Sequence, residues 1–285
     1  CASRGLGDVY KRQGSDDPDE NVFYTSGRAS NEAAFLWGVL ARQIGTNNLP
    51  DCSNMCHESS GVALSRSIGI GKGTVKLSCF EEADLILVIG QNPGTNHPRM
   101  LTALAACKEN GGSVVSINPL EETAMKRFKH PQNPLHLIGR GVQIADEHLP
   151  VRIGGDAALL QGFAKTILSQ GGADLDFISA NTLGFEDWKR HIESTDWETI
   201  VEQSGISRDR IEKTGTAIAK SERMIVCWAM GLTQHENSVA VIQEVSNLLL
   251  AGGHFGKPGA GACPVRGHSN VQGDRTVGIN HHPTE

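Results

Sequence analysis

At 285 residues the chain is long enough for one large domain or two smaller ones, each with its own core. A formal net charge of −6 excludes a general nucleic-acid binder, because no basic surplus exists to neutralise phosphates. It leaves room for a phosphorylated cofactor held by backbone N–H groups and a few local cations. No run approaches the ~18 apolar residues of a membrane span, and no leader-like segment opens the chain, so membrane insertion is not expected and a cytoplasmic setting is.

The residues from Asp8 to Gln13 read like the in-frame translation of a sequencing-adapter end. Residues 1–13 are therefore set apart as a non-native artefact, and the natural chain is expected to begin upstream. Residues 22–25 are expected as a short strand. A Gly-containing turn then leads into a helix over about 31–44, with Ser30 as its N-cap. Residues 46–58 are expected as a rigid polar loop bearing Cys52, Cys56 and His57, followed by a helix over about 59–68. The rhythm Gly69-x-Gly71-x-Gly73 fits a phosphate loop or a plain turn equally well, since neither the preceding strand nor the P-loop spacing is present.

The nucleotide-type unit comes next. Residues 83–89 are a continuous apolar run of strand length, as a parallel strand buried on both faces requires. A loop from Gly90 to Pro98, a helix over about 99–110 and a strand over 113–117 complete a βαβ unit. Its right-handed crossover puts both strand ends on one sheet edge, where ligands of such sheets bind. A strand is expected within 145–152, a helix from Gly155 through Leu168, and short outer helices over 172–202. A helix over 207–220, a strand at 224–228, a loop at 229–235 and a helix over 238–250 make a second strand–loop–helix unit. Residues 252–274, rich in glycine, are expected as a loop that buries little and brings backbone close to a ligand.

Cys52-x-x-x-Cys56-His57 admits three readings. Zinc would need a second ligand pair, and Cys79, Cys107, Cys227 and Cys263 are isolated in sequence. A thiolate nucleophile beside His57 is chemically reasonable, as is a thiolate ligand for a heavy, soft metal. Seven cysteines without regular spacing fit reduced thiols better than a disulfide framework.

Five stretches in order carry a resemblance: Thr46 to His57; Gly90-Gln91-Asn92-Pro93 with His97-Pro98; Ala145 to Leu160; Trp228 to Gln234; and Pro264-Val265-Arg266-Gly267 through Gly273. Together they resemble the molybdopterin oxidoreductases, in the branch of formate dehydrogenase H-like alpha subunits (the FdhF/YdeP type). The resemblance implies an α/β, Rossmann-like fold of the formate dehydrogenase/DMSO reductase type. It implies a Rossmann-like domain over 52–268, with 14–51 and 269–285 as parts of a second, discontinuous α/β domain. It implies a molybdenum bis(molybdopterin guanine dinucleotide) centre oxidising formate or a similar small, anionic substrate. A 4Fe-4S cluster would come from an upstream segment outside this fragment, with an electron-transfer subunit as a possible partner.

Residue by residue, Cys56 falls where the family places the molybdenum ligand, His57 where it places the proton-handling histidine, and Arg266 where it places the substrate-orienting arginine. Gly90, Asn92, His97, Asn118, Gly231, Gln234 and Gln272 fall in loops that contact the dinucleotides. Asn118-Pro119-Leu120 departs from the family's usual Asp-Pro-Arg, and His268-Ser269-Asn270 from Gln-Asn-Asn. Other readings are a same-family enzyme for a different substrate, a non-catalytic truncated relative, and a NAD-type dehydrogenase. The last lacks the Gly-x-Gly-x-x-Gly turn.

Overall fold

The computed structural model describes residues 16–280, so the artefact expected over 1–13, and positions 14–15 and 281–285 of the outer segments, lie outside the described residues. In chain order the main elements are α1 (Asn31–Ile44), α2 (Cys52–Cys56), α3 (Glu58–Ile68), β1 (Leu85–Ile89), α4 (Met100–Glu109), β2 (Ser113–Ile117), β3 (Glu147–Leu149) and α5 (Asp156–Ser169). There follow α6 (Leu175–Asn181), α7 (Phe185–Ser194), α8 (Trp197–Ser204), α9 (Arg208–Lys220), β4 (Met224–Trp228), α10 (Ser238–Ala251), β5 (Gly261–Pro264) and α11 (Val271–Thr276). The chain divides into two compact units, Ser59–Val265 and a smaller one made of the residues up to Glu58 and from Arg266 onward. The sequence reading set these boundaries at 51/52 and 268/269. With the structural division, Cys56, His57 and Arg266 all belong to the smaller unit.

The larger unit is built on a parallel five-stranded sheet of order β3-β2-β1-β4-β5. All five residues of β1 and of β4 are buried, as the unbroken apolar runs require. Alternate side chains feed two apolar layers. Leu85, Leu87 and Ile89 meet Val226, Trp228, Phe163 and Ile242 on one face; Ile86 and Val88 meet Ile225, Leu104 and Met125 on the other. Each such side chain contributes about 1.5–3 kcal/mol on burial. The Trp228 indole N–H donates to Ser60 Oγ at 2.9 Å, which satisfies the one polar atom of a fully buried ring and ties α3 to β4.

In the smaller unit Phe23, Ala34, Ala41, Leu49 and Ile279 form a compact core. Ser30 caps α1 as expected, its side chain accepting from the Ala33 N–H, and Gly45 ends the helix in the left-handed region.

Three expectations are corrected. Residues 22–25 form no strand; one bridge joins Thr25 to Asp51, and Phe23 N–H donates to Asn48 O. The expected loop at 46–58 contains α2, nucleated by a capping box in which Asp51 accepts from Ser53 and Asn54 N–H while the Asn54 side chain accepts from the Asp51 N–H. Residues 252–274 contain β5 and α11. Their glycines let β5 tuck against the chain's own backbone: a Cβ on Gly261 would lie 2.3 Å from Thr74 Oγ1. Likewise Gly73 sits within close range of Ala262 O, and Thr74 N–H donates to that carbonyl at 2.9 Å. The Gly69–Gly73 rhythm therefore serves a turn against β5.

Candidate functional site

Parallel pairing brings the carboxyl ends of β2, β1 and β4 to one edge of the larger unit, and six of the expected cofactor contacts follow those ends. Gly90 and Gly231 lie at the point where strand order reverses, the place where open α/β sheets bind ligands. Gly90 has φ +57°, and a Cβ there would sit 2.7 Å from Gly231 Cα. A Cβ on Gly231 would sit 2.4 Å from Gly90 Cα, and Gly231 N–H donates to Gly90 O at 3.0 Å. The two loops thus touch backbone to backbone, a surface without side chains that phosphate groups can approach.

Asn92 and Asn118 meet through a residue the sequence reading did not single out. Asn92 Nδ2 donates to Glu122 Oε2 at 2.7 Å, and Asn118 Nδ2 to Glu122 Oε1 at 3.1 Å. Asn92 Oδ1 also caps the turn Pro93–Asn96 through Thr95 N–H. Both amides are spent on holding the loops in shape. His97 Nδ1 lies 3.3 Å from Gln91 Nε2. Gln234 closes the single turn Met230–Thr233 and is exposed. A second residue not foreseen is Asp156, at the first turn of α5. Burial pushes its carboxyl up to about 6, against the pull of His235. A buried, perturbed acid following β3 is a functional-site candidate on physical grounds.

In the smaller unit, α2 carries Cys56 at its last residue and His57 as its C-cap. His57 is buried. Burial pushes the Cys56 thiol above its ordinary range, opposed by the Arg266 guanidinium and the Gly267 backbone. Arg266 is in turn lowered by burial and raised by Cys56, so cation and sulfur sense each other. Gln272 is exposed on α11. Cys52 is buried and its Sγ lies 3.1 Å from His268 Nδ1; a Cβ on Gly27 would collide with that sulfur. Among the described residues no group of three or more His, Cys, Asp or Glu converges to hold a metal ion, so the zinc reading has no ligand set there.

Arg275 is the third residue missed. Its Nε donates to Asp51 Oδ2 at 3.0 Å and Ser53 Oγ at 2.7 Å, and its Nη2 to Glu58 Oε2 at 2.6 Å. These acceptors stand on both sides of Cys56-His57 in the chain. Nothing in the local sequence signals this, because the partners lie more than 200 residues away.

Among curated proteins, an uncharacterised oxidoreductase of Mycobacterium tuberculosis is 52% identical over 93% of this chain and 35% of its own length. Protein YdeP of Escherichia coli K12 is 49% identical over 95% of this chain and 37% of its own. Formate dehydrogenase H of the same strain is 30% identical over 87% of this chain and 32% of its own. The chain therefore spans about a third of the length of these relatives. Among solved structures, acetylene hydratase from Pelobacter acetylenicus matches with a TM-score of 0.67 at 20% identity, over 86% of this chain and 31% of that one, which shows a common fold. No helix among the described residues is long and apolar enough to cross a membrane.

The molybdopterin oxidoreductase family model matches residues 7–281, and the resemblance carried by the five motifs holds across both units. The chain belongs to the molybdopterin oxidoreductase family, whose cofactor is a molybdopterin.

Proposed function

We propose that the complete protein is a molybdenum-dependent oxidoreductase of formate dehydrogenase type, with the cofactor in its bis(guanine dinucleotide) form. Electrons would pass to a 4Fe-4S cluster carried by a segment outside this chain, and from there to an electron-transfer partner. The observation that carries this reading is that the half-buried Cys56 thiol and the Arg266 guanidinium belong to one unit, with the charge of each felt in the titration of the other.

The donor set fits the cofactor. A thiolate is a soft ligand suited to molybdenum, and Cys56 would hold the metal. The bare backbone at Gly90 and Gly231 fits phosphate groups, with Asn92, His97, Asn118 and Gln234 in the loops beside it and Gln272 on α11 of the smaller unit. The cofactor, when bound, supplies the two-electron redox chemistry. Arg266 presents a planar fork of donors matched to a carboxylate and orients an anionic substrate. His57, buried and next to Cys56, takes the proton released from substrate. Burial favours the protonated Cys56 thiol, so holding a metal would require Cys56 to give up that proton, and rising pH would favour it.

The test is elemental analysis of the full-length protein from a host that makes the cofactor, with about one molybdenum per chain expected. Cys56→Ser should lower turnover at least ~100-fold with formate or the true substrate while leaving the circular dichroism unchanged. Absence of molybdenum, or an unaltered rate in Cys56→Ser, overturns the reading. A second reading, a family member acting on a substrate other than formate, draws support from the higher identity to the oxidoreductase of M. tuberculosis and to YdeP than to formate dehydrogenase H. Molybdenum present with no formate oxidation selects it.

A further inference from the structure

Four of the seven cysteines, Cys79, Cys107, Cys227 and Cys263, gather in the apolar layer on one face of the sheet. Cys107 has a partner of its own, the carbonyl of Ala83. Cys227 and Cys263 have each other. The β4–β5 register sets them directly opposite, and each shifts the titration of the other, Cys227 upward and Cys263 downward. Paired residues of parallel strands project from the same face, and neighbouring strands lie ~4.8 Å apart, inside the Cα span a disulfide bridges. Access is one-sided: Cys227 is fully buried, whereas Cys263 is partly exposed on the edge strand.

We propose that Cys227 and Cys263 are a redox-sensitive pair that closes to a reversible disulfide when the protein meets a hydroperoxide. With hydrogen peroxide, the Cys263 sulfur, as thiolate, attacks one oxygen and the O–O bond breaks. Cys263 becomes a sulfenic acid, and the departing hydroxide takes up the thiol proton as water. The Cys227 sulfur then attacks the sulfenic sulfur; the S–S bond forms, the S–O bond breaks, and the hydroxyl leaves with the Cys227 proton as a second water. Two thiols and one peroxide give one disulfide and two waters, with two electrons passing from sulfur to oxygen. The order follows from the fold: Cys263 is a partly exposed residue on the edge strand, whereas Cys227 is fully buried on a strand paired on both sides, so the oxidant meets Cys263 first.

The cross-link would act close to the cofactor edge, because β4 runs on into Ala229-Met230-Gly231.

The test is peptide mapping of the full-length protein after hydrogen peroxide, with thiols alkylated under denaturing conditions. A linked peptide pair containing Cys227 and Cys263, two hydrogens lighter than its parts and reversed by dithiothreitol, is expected. In Cys227→Ser, dimedone should trap Cys263 as its sulfenic acid; in Cys263→Ser, Cys227 should remain fully alkylatable after peroxide. Complete alkylation of both thiols in the treated wild type overturns the proposal. So does passage of Cys263 to a sulfinic acid while Cys227 stays free, or loss of Cys227 labelling in the Cys263→Ser variant.

Discussion

Arg275 holds three acceptors at once, and one of them, Asp51, is all but excluded from water, with its side chain 2% exposed. Asp51 is also the N-cap of α2, the helix that carries Cys56. Removing the guanidinium would leave that carboxylate buried without its cation, a loss usually larger than the pair's net worth. Arg275→Met is expected to lower stability by about 3 kcal/mol in urea denaturation, near the low end for a broken buried pair because Arg275 is a third exposed. Arg275→Lys should recover only part of this, since an ammonium cannot span Asp51 and Glu58 with a fixed fork.

At the scale of elements, the contact between the loops after β1 and β4 is set by two glycines for different reasons. Gly90 needs its left-handed φ, whereas Gly231 is needed for space alone, with Gly90 Cα 2.4 Å from where its Cβ would be. Gly231→Ala therefore isolates the steric part, and the expected cost is about 1–3 kcal/mol, read as a fall in thermal midpoint. The elements the sequence made legible were those whose burial is complete. β1 and β4 are unbroken apolar runs of strand length, and a parallel strand covered on both faces can be little else. β5 hid because Gly261, Ala262 and Pro264 carry no strand signal, their pairing being bought by smallness at a crowded edge. α2 hid because Asp51 and Asn54, which read as turn formers, are its cap. Within the site, Cys56, His57 and Arg266 were reached through the motif resemblance. Glu122, Asp156 and Arg275 act through partners distant in the chain or through burial, and neither is written in local spacing.

For the molecule as a whole, two buried groups of the larger unit set opposite responses to acid. Burial holds His254 down to about 4, with Lys257 acting the same way and Asp174 and Asp84 against it. Unfolded histidine titrates near 6.5, so between these values only the unfolded chain takes the proton, and stability is lost as pH falls. Asp156 is raised to about 6 from an unfolded value near 3.9, so the folded chain takes the proton first and stability is gained over nearly the same window. Each contribution is about 3 kcal/mol, and the two largely offset. Between pH 6.5 and 4, His254→Asn should lose less stability than wild type and Asp156→Asn more, each by about that amount, measured by urea unfolding across the pH series.

The sheet order has a consequence for how the protein is made. β1 and β2 are joined by the helical turn Pro93–Asn96 and the helix α4 alone, and can pair as soon as both leave the ribosome. The other neighbour of β1, β4, begins at Met224, more than a hundred residues after β2 ends at Ile117. At ribosomal speed that interval lasts roughly 5–20 s. Throughout it the wholly apolar strand Leu85–Ile89 presents an open hydrogen-bonding edge. A nascent chain in that state is a natural client for a chaperone that shields strand edges, and synonymous codons that slow translation between β2 and β4 would lengthen its exposure.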